Sequence, residues 1–185
     1  MNTLKLLTLT VMLSVSQNVL SQTFDASAKA YGHLVLHDQT LEGTIDVNMD
    51  LDQVLLSIDN SMKIYSARDV KEIIIKGKSA YVGQKLNDEF FLMEVVTSGQ
   101  ISILHKSGIE KDPYTHKEYS GYFVEKKGHL QELEKKKDFL DLFGDDEKWM
   151  SIRIKNQGYD LENKADIRAA FDYYNQSFEA SNPSP

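Results

Sequence analysis

Five histidines, 28 carboxylates and no cysteine define the chemistry open to this chain of 185 residues. His33 and His37 stand four apart, the spacing that chelates zinc on a helix. The residues between them, Leu34-Val35-Leu36, read as strand. A strand sets them about 13 Å apart, too far to share an ion. His105, His116 and His129 fall in a strand end, a loop and a turn, and no H-E-x-x-H is present. Asp46, Asp50 and Asp52 offer oxygen ligands, but a calcium loop needs a glycine after them, and Gly43 lies before them. Gly77-Lys78-Ser79 looks like the end of a phosphate loop. Glu72 occupies the position that needs glycine, and Ala80-Tyr81-Val82 continues as strand rather than helix, so a hairpin turn is expected. There is no G-x-S-x-G, and Ser98-Gly99 falls in a turn. A carboxylate pair of the glycosidase kind stays open, because separation in space decides that chemistry. The expectation is no cofactor and no metal site.

The strongest candidate for contact with a partner is the polar stretch Lys106 to Lys117, read as the longest loop and holding Pro113. Lys111, Tyr114 and His116 are its predicted binding residues. Aromatic faces supply contact area and lysines supply attraction toward an anionic or sugar-bearing ligand. The opposing reading is an exposed connection in which Lys106, Lys111 and Lys117 balance Glu110, Asp112 and Glu118, for a loop charge of 3 − 3 = 0.

The elements that must position such groups begin after residue 21. Leu6 to Val15 is an apolar run of ten residues behind Lys5, and Val19-x-Ser21 suits a signal peptidase. The run is shorter than the roughly 20 residues a membrane span needs. Residues 1–21 therefore read as a secretory signal peptide, cleaved before Gln22. Without it the formal charge moves from −7 to −8, since only Lys5 is lost. An acidic body argues against nucleic acid as partner. No later apolar stretch is long enough to cross a membrane. With no cysteine there is no disulfide, so the domain must hold itself by its core.

Residues 22–31 read as a linker, and 32–180 as one domain. Short runs rich in Val, Ile, Tyr and Phe recur about every ten residues from His33 to His105 and again at Tyr119 to Glu125 and Leu130 to Leu133. Ser66-Ala67-Arg68-Asp69 reads as a single helical turn or a polar bend. From Lys136 the period turns helical. Gly144 and Gly158 stop two short helices, and Ile167, Ala170, Phe171, Tyr174 and Phe178 mark the stripe of a third. Asn175-Gln176-Ser177 matches a glycosylation triplet but falls on that helix. Residues 181–185 read as a disordered tail. The expected fold is α+β: an antiparallel β-meander or small open barrel followed by two to three short C-terminal helices.

Several stretches taken in order resemble known sequences. They are Gly43-x-Ile45, Tyr65-Ser66-x-x-Asp69-Val70, Phe91-Leu92, Gly99-x-Ile101-x-Ile103-Leu104, Tyr122-Phe123-Val124-x-Lys126 and Tyr174-Asn175. Over roughly residues 32–176 the chain resembles uncharacterised secreted β-rich proteins of the Bacteroidota. The resemblance implies export to the cell envelope or beyond, and carries no activity with it. The expected function is that of an exported envelope domain acting by binding to an envelope protein or glycan. The alternatives are an envelope hydrolase using a carboxylate pair on polysaccharide or peptide, and a structural accessory domain of an outer-membrane assembly.

Overall fold

The computed structural model describes residues 29–112, 117–126 and 129–181. Ten strands form one antiparallel sheet: β1 (Ala30–Leu36), β2 (Thr40–Asn48), β3 (Gln53–Ile58), β4 (Ser61–Ser66), β5 (Val70–Ile75), β6 (Lys78–Leu86), β7 (Glu89–Thr97), β8 (Ile103–Asp112), β9 (Lys117–Lys126) and β10 (His129–Leu133). Three helices follow: α1 (Lys136–Asp141), α2 (Glu147–Gln157) and α3 (Lys164–Ser181). The α+β meander with short C-terminal helices is therefore the observed fold, with the sheet open.

The strand order is β10-β9-β8-β7-β6-β5-β1-β2-β3-β4. Two meanders are spliced, because β5 pairs with β1 rather than with β4. Tight turns follow from residues that tolerate positive φ. Asp59-Asn60, Lys76-Gly77 and Asn87-Asp88 each have both central residues at positive φ and join adjacent strands through two residues. That geometry matches the right-handed twist of the strands it links. Gly77 thus sits in a hairpin turn, as its strand context requires. Ser66 to Asp69 is the polar bend: the Asp69 carboxylate accepts from the Ser66 hydroxyl at 2.8 Å and its backbone N–H at 3.1 Å. These bonds lower the Asp69 pKa.

Three boundaries differ from the sequence reading. β1 takes in Ala30 and Tyr31, which the hydrophobic pattern assigned to a linker. α3 includes Ser181, assigned to the tail. The largest difference is Lys106 to Asp112, which is strand rather than loop, and β9 starts at Lys117. The polar composition of this stretch hid a hairpin whose register is irregular. Bulges interrupt it between Lys106 and Ile109 and again between Glu110 and Asp112.

Cross-strand pairs place one continuous face of the sheet toward the core. On the β1–β5 half, Leu34, Ile45, Val54, Leu56 and Ile73 pack there with Leu92 of β7. On the β7–β10 half, Val96, Ile103, Val124 and Leu133 meet the helices through Phe139, Phe143, Met150, Ile154, Ile167 and Phe171. The predicted stripe of α3 is this contact: Ile167, Ala170, Phe171 and Tyr174 are buried. Phe171 stacks on Phe143 at 4.7 Å between ring centroids. A small third cluster, Met93, Leu104 and Phe123, lies on the opposite face of β7–β9. Gly83 allows the sheet to close tightly over the β4–β5 bend. A Cβ there would stand 2.2 Å from the Val70 carbonyl oxygen and 2.3 Å from that of Ala67.

The sheet splits between β7 and β8. Their ladder runs only from Thr97–Ile103 to Glu94–His105. Below the split, the β2–β3 turn (residues 49–52) reaches in, although β6, β5 and β1 separate β7 from β2 in the sheet. Asp52, at φ 52°, accepts the Leu92 N–H at 2.6 Å and so replaces the missing β8 carbonyl. Its own carbonyl accepts from the Ala67 N–H at 2.9 Å. Lys106 donates to the same Asp52 carboxylate at 2.8 Å and to the Met49 carbonyl at 2.5 Å. The Lys106 side chain is 2% exposed. It is a bolt between the two halves, not a loop cation.

Candidate functional site

Where β7 leaves the split, Glu94 turns to the helix-covered face beside three cross-strand neighbours. Tyr81 pairs with it from β6 and His105 from β8, and Tyr122 pairs with His105 from β9. α3 crosses above and adds two cations. Lys164 meets Glu94 Oε2 at 2.6 Å, and Arg168 meets Oε1 at 3.2 Å. Arg168 also donates through Nε to the Val96 carbonyl at 2.7 Å, which fixes the helix over the strand. Lys164 sits in the first turn of α3, where the helix dipole opposes a cation, and Glu94 offsets that.

Further along α3, Asn175 is buried and bonded on both sides of its amide. It accepts the Ile101 N–H at 2.9 Å and donates to the carbonyls of Ile101 at 2.9 Å and Ser98 at 3.2 Å. This ties the β7–β8 turn to the helix and leaves no amide exposed for a glycan. Gly99, at φ 144°, permits the contact, since a Cβ there would lie 2.7 Å from Asn175 Cγ. Gly99 and Asn175 thus meet in space. Thr97 donates its hydroxyl proton to Asp172.

Some of these groups line a groove of about 600 Å³ between β6–β7 and α3. Its walls include Tyr81, Glu94, Thr97, Arg168, Asp172 and Gln176. Burial, with Glu94 adding, raises the Tyr81 hydroxyl pKa. Tyr122 is raised by the same two causes in the same order. Burial lowers the His105 pKa below 6.5, Lys164 lowers it further, and Glu94 opposes both. His105 is therefore a neutral imidazole at neutral pH. Its Nε2 lies 2.7 Å from Ser120 Oγ, and its ring rests on Tyr122 at 4.9 Å. Nδ1 lies 3.9 Å from Glu94 Oε2.

The binding residues predicted from sequence are Lys111, Tyr114 and His116. Lys111 is in β8, and Tyr114 and His116 lie outside the described residues. His37 Nε2 donates to the Arg68 carbonyl at 3.1 Å, and His33 lies in β1 opposite Glu42 and Ile74. Among the described residues, no group of three or more His, Asp or Glu could hold a metal ion. Sequence reasoning missed Glu94, His105, Lys164 and Arg168 as a set. The other three lie 11 to 74 positions from Glu94, and only strand register and helix docking bring them to it. Glu94 falling on the same strand face as buried Val96, two residues on, was the one available sign.

No protein-family model matches the chain, and no curated protein or solved structure is significantly similar to it. Among the described residues, no helix is long and apolar enough to cross a membrane.

Proposed function

We propose that the protein is an exported envelope domain that binds a polyhydroxylated ligand, a glycan, in the groove between β6–β7 and α3. The observation that carries this reading is the make-up of the groove wall. An aromatic ring, two carboxylates, a guanidinium, a hydroxyl and a carboxamide line one cleft of about 600 Å³. Sugars are recognised by such combinations: a ring face covers C–H surface, and planar polar groups engage vicinal hydroxyls. Glu94 is already held by Arg168 and Asp172 by Thr97, so this part of the cleft is formed before a ligand arrives. Export rests on the apolar run Leu6 to Val15, the Val19-x-Ser21 cleavage signal and the resemblance to secreted proteins.

Isothermal titration of the mature protein against neutral, N-acetylated and uronic-acid-bearing oligosaccharides tests the proposal. One class should bind, and Tyr81→Ala and Asp172→Ala should each weaken it about tenfold or more while remaining folded. Binding that survives both substitutions, or no binding by any of the three classes, would overturn the reading.

A further inference from the structure

The geometry points to a nucleophilic serine: Ser120, His105 and Glu94 form a relay that cleaves an O-acyl ester. The Ser120 hydroxyl is exposed and lies 2.7 Å from His105 Nε2. The opposite ring nitrogen faces Glu94 Oε2 at 3.9 Å. Nucleophile, base and orienting carboxylate thus occupy the two ends of one imidazole, the arrangement that activates a serine. The acid contact is longer than a hydrogen bond, as is common before substrate binds. Tyr122 packs on the imidazole and fixes its plane.

The strand around Ser120 is irregular in a way this chemistry needs. Lys106 pairs with Gly121 and Ile109 with Tyr119, so Ser107 and Gly108 together oppose Ser120. Gly108 has φ 72°. Such a bulge re-aims side chains and releases a backbone group from the ladder. An N–H released by the bulge would be the group available to an oxyanion formed at Ser120.

In the reaction, Ser120 Oγ attacks the acyl carbon while His105 Nε2 takes the hydroxyl proton. The carbon–oxygen bond to the alcohol breaks, and the departing alkoxide receives that proton from His105. Water then attacks the acyl-serine, again losing a proton to His105. The acid leaves and Ser120 regains its hydroxyl. Glu94 is a positioning residue here, acting through His105. Four groups face the imidazole: Glu94 from β7, Ser120 and Tyr122 from β9, and Lys164 from α3.

This inference goes beyond the glycan reading and does not depend on it, because a small aryl ester requires no groove. The experiment treats the mature protein with a fluorophosphonate and, separately, with p-nitrophenyl acetate. The expected result is a single covalent adduct on Ser120 and turnover above background. Ser120→Ala and His105→Gln should each abolish the adduct and bring turnover down about a hundredfold or to background. The rate should rise with pH through a midpoint below 6.5, and Glu94→Gln should move that midpoint lower, because the Glu94 charge raises the His105 pKa. No adduct on native protein, or an adduct and turnover that persist in folded Ser120→Ala, would overturn the relay. Turnover without oligosaccharide binding would keep the relay and remove the glycan reading.

Discussion

His105 and Lys106 are neighbours on one strand, yet they lead to opposite faces and to two unlike ion clusters. On one side, Lys106 and Asp52 are 2% and 19% exposed, and they bolt the β2–β3 turn into the split between β7 and β8. On the other, Glu94 is 26% exposed while its partners Lys164 and Arg168 are 43% and 48% exposed. Both clusters join distant parts of the chain. The first is enclosed and every donor has a fixed acceptor, so it can change little without loss of fold. The second opens onto water and a groove, where a ligand can compete for the same groups. Burial, rather than charge, separates a structural ion pair from a cluster free to do chemistry.

The largest effect expected on this contrast comes from the cover over the open cluster. Phe171 is fully buried and stacked on Phe143. Phe171→Ala should cost about 3–5 kcal/mol through lost burial and a cavity, read as a lowered denaturant midpoint. A midpoint equal to wild type would mean that α3 does not dock and that the groove has no roof.

Lys106→Met tests the enclosed cluster. It removes the cation from Asp52 and a donor from the Met49 carbonyl, and should cost about 3 kcal/mol. Asp52 keeps the Leu92 N–H and some solvent, which holds the loss below that of a fully buried orphan. Combining it with Asp52→Asn should cost less than the sum of the two single changes, since each removes the same pair. Additive losses would show that the bolt is not a coupled unit.

A smaller effect is expected from pH. The folded His105 pKa is below 6.5, so the unfolded chain binds the proton more readily. Stability is then full above about pH 6.5 and falls as pH drops through the interval between 6.5 and the folded value. His105→Gln should flatten this part of the profile of unfolding midpoint against pH. An unchanged slope would place the titration elsewhere.

Least of all, Lys164→Ala should shift stability by no more than about 1 kcal/mol, because an exposed ion pair contributes little even at 2.6 Å. A loss comparable to that of Lys106→Met would erase the distinction between the two faces.

Much of the fold was legible in the residues. Val, Ile and aromatic alternation marked the strands, Gly158 marked a helix end, and the stripe from Ile167 to Tyr174 marked the buried face of α3. The Lys106 to Asp112 segment was not legible, because a bulged hairpin breaks the period of two on which a strand reading depends. Lys106 was misplaced for a related reason: a lone lysine among polar residues gives no sign that an aspartate more than fifty positions earlier encloses it. Asp52 was weighed as one of three calcium ligands, whereas its positive φ and three contacts make it the hub of the β2–β3 turn. The Glu94 cluster required the register of four strands and one helix, none of which local pattern supplies.

The most direct test of this division is the oligosaccharide-binding isotherm of Glu94→Gln, recorded on protein whose unfolding midpoint has been measured beside wild type. Loss of at least about tenfold in affinity, with a midpoint within about 1 kcal/mol of wild type, is the predicted result. Wild-type affinity in the folded variant would contradict it, and so would a collapse in stability like that expected for Lys106→Met.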